Sequence, residues 1–242
     1  MVWALAFAIL LKLLGGGGPT FLVPKLDNYV KKHVVEKSRK EAILVILKDS
    51  KKEKKALIKK NKKHFKKLSK LYKSRETKLA DFQTILDEIL ANEQASQLSN
   101  ITDLKNIQGS ITPGEWELIR ADIITGFEKG NKKRTKTSAK KEKHFLKIEG
   151  KINKRIVDKS KRAKALASVE EMKNVYMRNY KIIQDELINE NSIIHQYQSS
   201  ESELKSLQQE FNELVKEAFQ KSFKTHQELV NLTTPEEWKK IF

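Results

Sequence analysis

The stretch ITPGEWELI begins at Ile111, and LTTPEEWKKIF closes the chain over residues 232–242. Both contain Thr-Pro-x-Glu-Trp. Thr112 and Thr234 are placed as N-caps, Pro113 and Pro235 as first helical residues, and Glu115 and Glu237 at the third position. That is a capping box with proline at its favoured site, so each motif predicts a helix start. Trp116 and Trp238 then fall on the first turn, where an indole can clamp the new helix to a neighbour. Trp238, Ile241 and Phe242 share one face of the last segment. With Trp116 they are the residues expected to dock, either on this chain or on a partner subunit.

The two boxes lie 122 residues apart. A second echo, Lys-His-Phe at residues 63–65 and 143–145, recurs at an offset of 80. The order of a basic helix, an acidic apolar helix and Thr-Pro-x-Glu-Trp is the same both times. The offsets differ by 42 residues, six heptads, so the pattern reads as a degenerate duplication whose second copy has the longer helix.

Composition agrees with an all-α chain. Only nine Gly and four Pro occur in 242 residues, and charged residues make up 33%. Lys, Glu, Leu and Gln favour helices. Residues 65–89 carry apolar side chains at alternating three- and four-residue steps, from Phe65, Leu68 and Tyr72 to Phe82, Leu86 and Ile89. Residues 166–231 lack Gly and Pro and carry a similar seam. Such seams predict long antiparallel, coiled-coil-like helices in an elongated molecule. Gly126 and Gly130 are placed to end the helix begun at Pro113, with a turn over residues 131–138.

The net charge of +18 is unevenly distributed. Residues 31–78 carry a net +15, 79–128 a net −7, 129–164 a net +13 and 165–242 a net −4. Alternating blocks let a folded-back chain set acidic segments near basic ones, and a positive surplus remains for an outside partner.

Residues 2–23 are 22 in number, long enough to span a bilayer; residues 2–14 are apolar except for Lys12, and Gly15–Gly18 with Pro19 should kink the run. The run lacks a basic n-region and an A-x-A-like cleavage site, which favours a retained anchor over a signal peptide. Lys31, Lys32, Lys37, Arg39 and Lys40 follow it, a natural anionic-surface patch. By the positive-inside rule they place the bulk of the chain on the cytoplasmic side of a single span. The predicted organisation is an anchor over 1–24 and two basic-then-acidic helical segments, 25–128 and 129–242.

No chemistry-bearing constellation emerges. There is no Cys, the five His show no ligand spacing, and Gly15–Gly18 lacks the Lys-Ser/Thr of a phosphate loop. No catalytic residue, metal or cofactor is therefore expected. The order of anchor, FLVPKLDNYVKKHVVEKSRKEAI at residues 21–43 and long charged helices loosely resembles the peripheral-stalk b-type subunits of rotary ATP synthases. The lysine excess and paired capping boxes depart from that pattern. The expected function is a non-enzymatic, membrane-anchored helical scaffold or tether, with other subunits of a membrane complex and anionic lipid head groups as partners and self-association left open. The alternative is a basic helical module that holds nucleic acid or another polyanion.

Overall fold

The structure, a computed structural model, describes residues 21–23 and 25–242, with the backbone alone for 128–141. Every regular element among these residues is an α-helix: α1 (Leu26–His33), α2 (Lys37–Leu71), α3 (Leu79–Gly109), α4 (Pro113–Arg155), α5 (Lys159–Ile188), α6 (Glu201–Leu232) and α7 (Pro235–Ile241). α2 packs along α3, α5 along α6, and α3 against α6. α1 packs on α2 and α4, and α4 also contacts α5 and α7.

Both Thr-Pro-x-Glu-Trp boxes start helices as read. Thr112 accepts from the Glu115 N–H and Thr234 from the Glu237 N–H, and each Glu reaches back to its threonine N–H. Several sequence expectations need correction. α4 continues through Gly126 and Gly130 and across residues 131–138. A glycine costs a helix interior only about 1 kcal/mol against Ala, and Gly126 has a packing reason: a Cβ there would lie 2.7 Å from the Tyr29 hydroxyl of α1. The boundary expected at 128/129 therefore falls inside a helix.

The seam over 65–89 is not one helix. The chain reverses at residues 72–78, where Thr77 Oγ1 donates to Leu71 O at 2.8 Å and Lys78 N donates to Asp81 Oδ2 at 2.9 Å. Polar side chains thus take over backbone groups without Gly or Pro. Tyr72 and Phe82 then face each other with ring centroids 4.6 Å apart, as partners in a hairpin. The segment 166–231 also breaks, between Ile188 and Glu201, with Gln198 at φ 64°.

The duplication has one offset throughout. VVEKSRK at residues 34–40 and IVDKSKR at 156–162 stand 122 residues apart, as the capping boxes do. Each forms the turn between two helices. Val35 N donates to Glu115 Oε1 at 3.1 Å, and Val157 N to Glu237 Oε1 at 3.0 Å. Core positions follow the same offset: Leu26 and Ile148, Val30 and Ile152, Ile107 and Leu229, and Ile119 and Ile241 are all buried. The second copy is therefore no longer than the first. The Lys-His-Phe echo joins unrelated places, since Phe65 lies in α2 and Phe145 in α4. α4 serves both copies: its first turns complete copy one on α1, and its last turns open copy two on α5.

The copies interlock reciprocally. Trp238 Nε1 donates to Lys73 O at 2.8 Å, and Trp116 Nε1 to His195 O at 3.0 Å. Gln227 Nε2 reaches Thr77 O at 2.9 Å, and Lys105 Nζ reaches Ser199 O at 2.6 Å. Both pairs of contacts map onto each other by the 122-residue offset. This is the logic of an isologous dimer interface, built within one chain. Each hairpin tip sits on the tryptophan corner of the other copy. Arg75 strengthens one side, donating to Thr233 Oγ1, Thr234 O and Val230 O.

Of the predicted anchor, residues 1–20 lie outside the described residues. Phe21 and Val23 are buried in the helical core, so the end of that apolar run belongs to the packed body. No helix among the described residues is long and apolar enough to cross a membrane.

Candidate functional site

Internal duplication supplies a comparison: positions that both copies keep apolar build the fold, and positions where they diverge are free to serve something else. The copies diverge on α2 against α5. Lys48, Lys52, Lys55, Lys59, Lys62, Lys66 and Lys70 follow one another at steps of three or four residues and are all exposed. At 100° per residue they occupy one outward face about 80° wide and about 33 Å long. Only Lys52 makes an ion pair with a described residue, to Asp49 at 2.8 Å. The equivalent residues of α5 are Glu170, Asn174, Met177, Lys181, Gln184 and Ile188, and Lys181 is matched to Asp185 at 2.5 Å. The fold therefore does not require the lysine ridge.

The inward face of the same helix diverges too. Between Leu47 and Phe65 the only buried residues of α2 are Ser50 and Asn61, a stretch of about 27 Å. Asn61 Nδ2 donates to Glu93 Oε1 at 2.7 Å, and Asn92 Nδ2 to Asn61 Oδ1 at 3.2 Å. Ser50 Oγ donates to Asn100 Oδ1 at 3.1 Å, and the Gln97 Oε1 is buried with no hydrogen-bond partner among the described groups. Copy two places Met172, Ile183, Val215 and Phe219 where copy one has Ser50, Asn61, Glu93 and Gln97. Burial pushes the Glu93 carboxyl up to about 7, opposed by its hydrogen bond from Asn61 and by nearby Lys54. The Lys54 ammonium is pushed down by burial. α2 is thus a helix with a charged outer face and a polar inner one, held by fewer apolar contacts than α5.

The predicted anionic-surface residues divide in two. Lys31 and Lys37 are exposed, and Lys31 lines an open groove between α1 and α2 with Lys48, Lys51, Lys52 and Lys55. Lys40 is half-buried. Lys32 is tied to Asp122 at 2.8 Å, and Arg39 holds Glu115 at 2.7 Å and also contacts Ser110 O at 3.0 Å. Those two have structural work inside the chain. Arg39 is the main cause that lowers the Glu115 carboxyl to about 2. The predicted docking residues pack on this chain: Trp116, Trp238 and Ile241 are buried, and Phe242 is half-buried against Trp238 with ring centroids 4.2 Å apart.

The ridge itself was visible in the sequence as a lysine-rich helix. Helical arithmetic aligns the seven ridge lysines, and exposed Lys51, Lys60, Lys63 and Lys67 extend the charge to the neighbouring faces. The polar seam carried no such sign, because which residues of α2 turn inward depends on where α3 begins. Among the described residues no group of three or more His, Asp or Glu is placed to hold a metal ion. Comparison with known protein families, with characterised proteins and with solved structures found no match.

Proposed function

We propose that the chain is a non-enzymatic helical scaffold held at a membrane, with its bulk on the cytoplasmic side, that joins that membrane to other subunits of an assembly. The observation that supports this reading is the interlocked double copy with unlike outer helices. The shared core joins the two copies in one packed body, and its outer helices, α2 and α5, offer different chemistry to their surroundings. A body of this kind suits a bridge between two unlike neighbours. The apolar run of residues 2–20 supplies the direct membrane attachment in this reading. Nucleic acid is the second reading, favoured by the unbroken run of lysines, which suits phosphate contact without base readout.

The test is fractionation of the full chain and of a chain lacking residues 1–20, a deletion that spares the buried Phe21 and Val23. The full chain should stay with membranes through a high-salt wash, and the deletion should lower that retention sharply. Full retention of the deleted chain after the wash would overturn direct anchoring.

A further inference from the structure

We infer that the lysine ridge of α2 is the membrane-facing surface of this protein and binds the head groups of an anionic lipid bilayer. The inference rests on the scaffold reading above and assigns it a surface.

The ridge contains one lysine per helical turn from Lys48 to Lys70. Each turn rises about 5.4 Å, and like charges at these spacings destabilise a helix on its own. The inner face gives little in return, since Ser50 and Asn61 are its only buried residues between Leu47 and Phe65. Copy two shows that the fold tolerates a neutral outer face and an apolar inner one at the same positions. A charge array that costs stability and that the fold does not need calls for an opposite charge from outside.

Three features favour a bilayer surface over nucleic acid. The ridge occupies one outward face of a single helix, so its seven lysines can meet a flat array of phosphates together. Its flanks carry exposed aliphatic residues, Val45 at 58% and Ile58 at 41% exposure, while the aromatic residues within its span, His64 and Phe65, are half-buried and buried, and no arginine occurs there. Aliphatic flanks beside lysines suit an interfacial helix, in which lysine stems lie along apolar surface while ammonium groups reach the head groups. Stacking partners for bases are missing from the ridge. Finally, Leu22 and Val23 line a cleft with Lys51 and Lys54. The apolar run of the N-terminus therefore joins the body alongside the ridge, and a membrane that holds the run lies next to these lysines.

The experiment uses the full chain in competition between neutral phosphatidylcholine vesicles and vesicles with about one-third phosphatidylserine, with a lysine-neutralised variant beside it. The variant is K55Q/K59Q/K62Q/K66Q, which keeps helix-forming residues. A four-lysine control on copy two, K205Q/K216Q/K239Q/K240Q, removes the same charge elsewhere. Each surface lysine contributes about fivefold in affinity for anionic lipid. The wild-type chain and the control should prefer the anionic vesicles by more than about 600-fold, the product for the four substituted lysines alone, with a preference that falls steeply as salt rises. The ridge variant should lose most of it.

Binding to both vesicle types without preference would overturn the ridge and leave the anchor standing. Binding to anionic vesicles alone, lost in the ridge variant, would support the ridge and overturn the anchor. Equal loss in the variant and the control would reduce the effect to net charge and overturn the assignment. A ridge variant that keeps its lipid preference but loses binding to a polyuridine strand would transfer the surface to nucleic acid and overturn the lipid inference. Circular dichroism of all three proteins separates these outcomes from unfolding.

Discussion

Trp116 and Trp238 do the same work for opposite copies: each donates its indole N–H to a backbone carbonyl at the tip of the other copy's hairpin, His195 O at 3.0 Å and Lys73 O at 2.8 Å. Both are nearly fully buried, at 1% and 4% exposure. Replacing either by Ala should lower stability by about 3–5 kcal/mol, the range for large aromatic truncations in cores. The location of the damage is the sharper test. Hydrogen exchange should speed up at residues 189–200 in Trp116→Ala and at 72–78 in Trp238→Ala. Faster exchange confined to each tryptophan's own helix would contradict the reciprocal interlock.

Glu115 and Glu237 carry the other half of the corner, accepting from Val35 N and Val157 N. The Glu115 carboxyl is held down at about 2, from an ordinary 4.5, chiefly by Arg39. A folded value below the unfolded one means that this stabilisation is present above about 4.5 and is lost as pH falls toward 2. Glu115→Gln should therefore destabilise the neutral protein and reduce the slope of acid unfolding in that window. Denaturant titrations at a series of pH values measure both.

The polar seam predicts the opposite kind of result. Asn61→Ile with Glu93→Val installs the residues that copy two uses at the same places. Replacing a buried polar pair by apolar residues of similar volume is neutral to stabilising, by about 1–4 kcal/mol in favourable cases. Asn61→Ile alone should destabilise, because Glu93 loses the donor at 2.7 Å. A destabilised double variant would show that the seam contributes to the fold in a way its counterpart in copy two does not.

Two buried groups should give stability a pH dependence of opposing signs. Glu93 is raised to about 7 from 4.5, so the folded state holds the proton more tightly and its contribution falls as pH rises from 4.5 to 7. His226, packed between Tyr72, Phe82 and Trp238, is lowered to about 4 from 6.5 by burial. Its contribution is lost as pH falls from 6.5 to 4. Glu93→Gln should remove the loss toward neutral pH and leave a curve that rises monotonically between pH 4 and 6.5. A wild-type and a Glu93→Gln curve that superimpose would refute the assignment.

If anionic lipid neutralises the ridge, the weakly held middle of α2 should become firmer. Hydrogen exchange in residues 50–61 should slow on adding phosphatidylserine vesicles, while the equivalent residues 172–183 of α5 stay unchanged. Equal slowing in both helices would point to a general effect of adsorption.

The sequence by itself settled the elements that depend on local chemistry. Thr112-Pro113 and Thr234-Pro235 begin helices because a threonine oxygen and a returning glutamate satisfy N–H groups within four residues of each other. The helical class follows from composition and spacing in the same way. The 122-residue offset between the boxes was also legible, though the Lys-His-Phe echo diverted it, because lysine-rich helices resemble one another wherever they occur. Tertiary structure decided where helices stop. The reversal at residues 72–78 has no Gly or Pro to announce it; it is held by Trp238 on Lys73 O, His226 on Ser74 O and Thr233 on Arg75, residues more than 150 positions away. Gly126 shows the converse, a residue that reads as a stop and serves to admit Tyr29. Local signals are strong only where the backbone's partners are local. Once the partner is distant along the chain, the position of a turn and the inward face of α2 are fixed by packing, and a linear sequence does not display them.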